Sequence, residues 1–155
     1  MQPTGDELAG IVDLFGALTH DELQRALVEL AARTDGSTVD PDAVESSIDE
    51  ARTAYALVEY PVDGTDGYVT GPAAFPEVPP HGEDLPHILD VPRRTIDREA
   101  VAGRIEARID DAVAETVDAG DTERARELID LSYDAEAWSL VELETQRETL
   151  GDLFE

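Results

Sequence analysis

The sequence predicts a mainly α (α+β) protein with one small β-hairpin. Three features lead there. Apolar residues recur three and four positions apart in several runs, most of them opened by a capping residue and closed by a glycine. One stretch, Leu57-Val58-Glu59-Tyr60, turns β-branched and aromatic; the loop Asp63-Gly64-Thr65-Asp66-Gly67 then brings Tyr68-Val69-Thr70 back beside it. Between Gly71 and Pro92 stand Pro72, Pro76, Pro79, Pro80, Pro86 and Pro92, which are expected to forbid regular helix and most sheet pairing and so separate a first half from a second run of helices.

The first helix starts near Asp6, with Leu8, Ile11, Val12 and Phe15 on one stripe and Gly16 at its end. The link Gly16-Ala17-Leu18 leaves room for a tight corner. Helix two opens on Thr19-His20-Asp21-Glu22, a capping box in which Thr19 and Glu22 satisfy each other's backbone donors. Leu23, Ala26, Leu27 and Leu30 carry its stripe and Gly36 closes it. Asp40-Pro41 caps helix three, where Val44, Ile48, Ala51, Tyr55 and Val58 follow helical spacing into the hairpin. Helix, helix, helix, hairpin is the layout of a winged helix.

The proline-rich segment has Phe75, Val78, Leu85, Ile88, Leu89 and Val91, apolar anchors that a free linker lacks. An ordered strap across the surface is expected. Thr95 then caps a long fourth helix with Val101, Ile105, Ile109, Ala112, Val113 and Thr116 inward, ended by Gly120. Asp121 caps a fifth over Ala125, Leu128 and Ile129, and Asp134 starts a further turn around Trp138. Leu140, Leu143, Arg147, Leu150 and Phe154 fall at a/d spacing, a surface for docking on the domain or on a second copy of the chain. The expected organisation is a winged-helix-like unit over residues 1–75. The strap and helical C-terminal segment over 76–155 pack with it as one compact domain.

A chain of 155 residues can bury a real core. No apolar run approaches a membrane span and no secretory leader is visible, so a cytoplasmic location is expected. Cysteine is absent, which excludes disulfides, thiolate metal sites and cysteine nucleophiles. Acidic residues number 37 against 11 basic ones, every basic residue is arginine, and the formal charge is −26. Such a charge strains a compact state in dilute buffer, whereas in molar salt the Debye length falls to about 3 Å. The acids are spread along the chain, unlike those of an interaction tail, and 41% hydrophobic residues argue against disorder. The acidity therefore reads as adaptation of the whole surface to a salty cytoplasm.

A winged-helix layout invites a DNA-binding reading in which helix three enters the major groove. Ser46, Ser47 and Arg52 would be its contacts. Yet Arg52 stands among Asp42, Glu45, Asp49 and Glu50, and Asp63 and Asp66 occupy the hairpin tip where phosphate contacts need cations. Arg93, Arg94, Arg98, Arg104 and Arg108 gather near the start of helix four. They could form an anion patch, but Asp90, Asp97, Glu99, Glu106, Asp110 and Asp111 surround them and local ion pairing is the simpler expectation. His81 and His87 lie with Glu83, Asp84 and Asp90 in the strap; the spacing matches no metal motif, and no metal is expected. His20 reads as an exposed helix-start residue, and Trp138, with Tyr133 near it, as core. There is no nucleophile elbow, phosphate loop or His-Glu-x-x-His, so no catalytic or cofactor-binding residue is assigned.

Asp6-Glu-Leu-Ala-Gly-Ile-Val-Asp-Leu-Phe-Gly-Ala-Leu-Thr19, Gly71-Pro-Ala-Ala-Phe-Pro76 and Asp84-Leu-Pro-His-Ile-Leu-Asp90 carry a resemblance. With them the whole chain resembles a family of small acidic haloarchaeal proteins of unknown function. The resemblance implies a halophilic archaeal source and transfers no site. The residues themselves favour a non-enzymatic docking or adaptor protein whose partner is another protein or a second copy in a homodimer. A winged-helix transcription regulator is the alternative, with nucleic acid disfavoured as a ligand.

Overall fold

The computed structural model describes residues 3–34, 36, 38–139 and 141–155. The chain divides into two compact units, Met1–Ile96 and Asp97–Glu155. The boundary expected at residue 75 therefore moves to the far end of the proline-rich strap, which folds with the first unit.

In that first unit α1 (Gly5–Phe15) starts on a complete Thr4/Glu7 capping box and stops at Gly16, whose φ is 80°. β1 (Leu18–Thr19) follows at once and α2 (His20–Thr34) continues from it. α3 (Pro41–Thr53) is capped by the Asp40 carboxylate, which accepts from the Asp42 N–H. β2 (Leu57–Glu59) and β3 (Gly67–Thr70) form the hairpin. At its tip Asp63 (φ 51°) and Gly64 (φ 81°) adopt the left-handed conformations of a type I′ turn. The sheet is antiparallel in the order β1-β3-β2, with Leu18 opposite Tyr68 and Val58 opposite Val69.

Two local expectations change here. The corner Gly16-Ala17-Leu18 ends in a strand, because the Leu18-Thr19 backbone finds partners on β3; two residues carry no periodicity that would announce it. Tyr55 and Val58 do not extend the α3 stripe. α3 ends at Thr53, Tyr55 takes φ 61° to turn the chain, and Val58 belongs to β2; both are still buried. The core gathers Leu8, Ile11, Val12 and Phe15 from α1, Leu23, Leu27 and Leu30 from α2, and Val44 and Ile48 from α3.

The strap lies along α1. The Phe75 N–H donates to Asp6 Oδ1 and the Glu77 N–H to the Asp6 carbonyl, each at 3.0 Å. Further on, the Arg94 N–H donates to the Phe15 carbonyl at 2.7 Å. Prolines do not exclude helix from the strap: a 3-10 turn (Gly82–Asp84) leads into a one-turn helix, α4 (Leu85–Leu89), with Pro86 in its first turn where it forfeits no bond. Leu85 and Val91 are the buried anchors. Phe75 and Val78, expected to point inward, are 81% and 40% exposed.

The second unit holds α5 (Arg98–Ala119), α6 (Thr122–Trp138) and α7 (Glu144–Gly151), followed by a 3-10 turn (Asp152–Phe154). Asp97, and not Thr95, caps α5: its carboxylate accepts from the Glu99 and Ala100 N–H groups. α6 starts on Asp121 and continues unbroken through Asp134 to Trp138. α5 packs on α6, and Val101, Ile105, Ile109 and Val113 of α5 and Leu128 and Ala135 of α6 are buried. α7 covers both helices. Its Gln146 donates to Asp110 at 2.8 Å, and Arg147 pairs with Glu136 at 2.8 Å. That pairing and the Leu143 N–H hold the Glu136 carboxyl below its ordinary range.

Candidate functional site

The outward face of α3 and the neighbouring hairpin form the surface on which either functional reading depends. Asp42, Ser46, Asp49 and Glu50 are exposed there, with Glu45 half-buried beside them. Ser47 is buried, so it is not available to a ligand. Arg52 is held from two sides, by Asp49 of its own helix at 3.2 Å and by Glu59 of β2. Its Nε is buried as well, so the guanidinium offers no open fork to a base edge. The structure thus leaves Ser46 alone of the three proposed DNA contacts open to solvent and unencumbered.

Behind this face sits a polar network that sequence patterning missed. His20 opens α2, and its Nδ1 lies 2.7 Å from the Tyr68 hydroxyl of β3. Its Nε2 is 2.6 Å from Glu45 Oε1 of α3, which also accepts from Gln24 at 2.7 Å. A carboxylate only accepts, so neutral His20 carries its hydrogen on Nε2 and takes the phenol's hydrogen bond on Nδ1. His20 is therefore a tertiary bridge between two helices and the sheet, not a free helix-start residue. Sequence spacing held no sign of it, since its two side-chain partners lie 25 and 48 positions away.

Burial pushes the Tyr68 phenol up to about 12; Arg52 opposes the shift and the carboxylates of Glu45, Glu59 and Asp49 add to it. At neutral pH Tyr68 is a hydrogen-bond donor and not a nucleophile, so the network clamps α3 to the sheet. Because the folded value lies above the ordinary 10, stability is intact below pH 10 and falls as pH rises toward 12. Tyr68→Phe should lose about 1 kcal/mol at pH 7. In urea melts followed by circular dichroism, its stability should then decline less steeply than wild type between those pH values.

Arg94 ties the strap to the hairpin tip. Its Nη1 donates to Glu22 Oε1 at 2.6 Å and to the Ala17 carbonyl at 3.1 Å; Nη2 reaches Glu22 Oε2 and Asp63 Oδ2, both at 3.0 Å. Arg93 donates to the Asp13 and Leu14 carbonyls at the C-terminal end of α1, where the helix dipole favours a cation. The bonds described for these two arginines reach across the fold, to Glu22, Asp63 and carbonyls at the end of α1. Docking of the strap decides these bonds, and Arg98, Arg104 and Arg108 lie on α5 in the other unit. Burial works against the Glu22 carboxylate, but the bonds from Arg94 and Thr19 outweigh it and hold the group below its ordinary range. Its contribution to stability is therefore present above about pH 4.5 and lost as pH falls through the lowered folded value. Arg94→Ala should cost about 2 kcal/mol at neutral pH. Denaturant titration should show that penalty shrinking in acid.

The C-terminal leucines do not form an outward seam. Leu143 and Leu150 are fully buried and Leu140 lies outside the described residues. Phe154 is 42% exposed, with Arg126 over its ring at 5.1 Å, and Arg147 stacks on Tyr133 at 4.2 Å. In the strap His81 and His87 are exposed, and among the described residues no three His, Asp or Glu side chains gather as metal ligands. No helix among those residues is long and apolar enough to cross a membrane.

Fold and surface together define a mainly α protein with a small antiparallel sheet and a carboxylate-rich face whose arginine is internally paired. The chain belongs to a family of unknown function (DUF7109), which matches residues 6–155. Neither the curated proteins nor the solved structures give a match.

Proposed function

We propose that this is a non-enzymatic docking or adaptor protein, built on a winged-helix-like unit and working in the salty cytoplasm of a halophilic archaeon. The observation that carries the reading is the condition of Arg52. The helix that would read DNA has one arginine, and Asp49 and Glu59 already engage it. The exposed carboxylates around it repel phosphate, and counterion release has nothing to draw on. A protein surface with arginine or amide donors meets the same face without that penalty. Winged helices serve in both capacities, so the shape alone does not decide.

One observation favours DNA binding as the second reading. The element order α1-β1-α2-α3-β2-β3, with strands paired β1-β3-β2, is the winged-helix order of many transcription regulators. Retention of genomic fragments by the purified chain in molar potassium chloride separates the two. Docking predicts no specific retention. A specific fragment, held by wild type and released by Arg52→Ala, would overturn it. A homodimer through Leu143 and Leu150 is disfavoured by their burial, and light scattering in the same salt should return a monomer mass.

Saline adaptation has its own test. A chain of formal charge −26 should lose helicity and melt earlier in dilute buffer than in molar potassium chloride. Full helicity and unchanged heat resistance in salt-free water would remove habitat as the reason for the acidity.

A further inference from the structure

The segment Phe75-Pro76-Glu77-Val78-Pro79-Pro80 is held in place without gaining burial for its largest side chain. Prolines at 76, 79 and 80 fix φ near −65°, and Phe75, Val78 and Pro79, each preceding a proline, are pushed to the extended region. Such a chain has about three residues per turn, which sets positions 75 and 78 on one ridge. Residues 74–79 form neither helix nor strand. They are nonetheless anchored by the Phe75 and Glu77 N–H groups on Asp6, and a Gly82 N–H to Pro79 carbonyl bond of 2.9 Å closes the following turn. The Glu77 backbone lies so close to Gly10 that a Cβ there would sit 2.1 Å from its carbonyl oxygen.

α1 thus spends a glycine in its interior, about 1 kcal/mol of helix propensity, to seat this backbone. What the seat presents to solvent is Phe75 at 81% exposure and Val78 at 40%, flanked by exposed Pro76, Glu77 and Pro80. Leu85 and Val91 are buried, so the strap has apolar anchors that do not involve Phe75.

We propose that Phe75–Pro80 is a preformed proline-type ligand that docks in an aromatic-lined groove on a different protein. The proposal rests on the docking reading and adds to the α3 face a second element that makes contact. A segment fixed before binding loses little entropy on association. In molar salt, where charge steering is screened, an apolar ridge keeps its drive to be buried. Glu77, Glu83 and Asp84 beside the ridge call for arginine or lysine on the groove's rim.

The test places the photo-crosslinker p-benzoylphenylalanine at position 75 of the full chain, in its own cells at native salt. Matched chains carry it at position 46 on α3 and at position 28 on α2, where Val28 is also exposed. The expected result is one protein adduct from position 75, mapped to a peptide rich in Trp or Tyr with basic neighbours, and none from 28. Excess Phe75→Ala protein should suppress that adduct roughly tenfold less well than excess wild type, while its thermal midpoint stays that of wild type. An adduct to a second copy of this chain, to nucleic acid or to lipid overturns the proposal. An adduct from 46 with none from 75 overturns the strap as ligand and leaves the docking reading standing. Adducts from neither overturn both.

Discussion

Gly16→Ala is expected to lower the stability of the first unit by about 3–5 kcal/mol, two effects adding at one atom. Gly16 ends α1 at φ 80°, a conformation that costs an L-residue about 1–2 kcal/mol. The new Cβ would also stand 2.2 Å from the Arg94 carbonyl oxygen and 3.3 Å from its carbon. Backbone does not yield as a side-chain tip does. Relief means lifting the strap, which breaks the Arg94 N–H to Phe15 bond and pulls the guanidinium from Glu22 and Asp63. Urea unfolding followed by helical circular dichroism in molar potassium chloride measures the loss. A change within about 1 kcal/mol would mean that the strap does not rest on this corner.

Gly10→Ala should destabilise by about 2–4 kcal/mol even though alanine is the better helix former. Inside α1 the exchange gains about 1 kcal/mol of propensity. Against that stands a Cβ placed 2.1 Å from the Glu77 carbonyl oxygen and 2.4 Å from its carbon, contacts no real Cβ sustains. Gly103 supplies the opposite sign. It lies within α5 with nothing inside 4 Å of the same added atom, so Gly103→Ala should stabilise by about 1 kcal/mol. The same chemical change thus reports on close approach and on propensity in turn. If Gly10→Ala stabilised the protein as Gly103→Ala is expected to, the strap's seat on α1 would be disproved.

Much of the local structure was legible because its causes are local. The Thr19/Glu22 box, Asp40 before Pro41, Asp121 and Gly120 each act on backbone groups within a turn of themselves, and the helices start or stop where these residues stand. The Asp63-Gly64 turn is legible for the same reason. Thr95 was displaced by Asp97 because both are competent caps two residues apart, and the choice depends on where the strap releases the chain. β1 was hidden because a two-residue strand is defined by its partner.

The candidate site was less legible. Seven-residue spacing put Leu143 and Leu150 on one line but could not say that α5 and α6 would cover it. Apolar content suggested that the strap was anchored, but only packing separates Leu85, which is buried, from Phe75, which is not. His20, Glu45 and Tyr68 meet across three elements, and nothing in the spacing of any one element encodes such a meeting.

By itself the sequence determined which of the longer segments are helical, where most of them begin and end, that the hairpin exists, and that the chain is overwhelmingly acidic. Those properties follow from side chains acting on their own backbone or simply being counted. The tertiary structure alone decided that Arg52 is occupied, that His20 bridges two helices to the sheet, that the strap belongs to the first unit, and that Phe75 faces solvent. Each of these depends on distances between residues far apart in the chain, which exist only once the apolar stripes have packed.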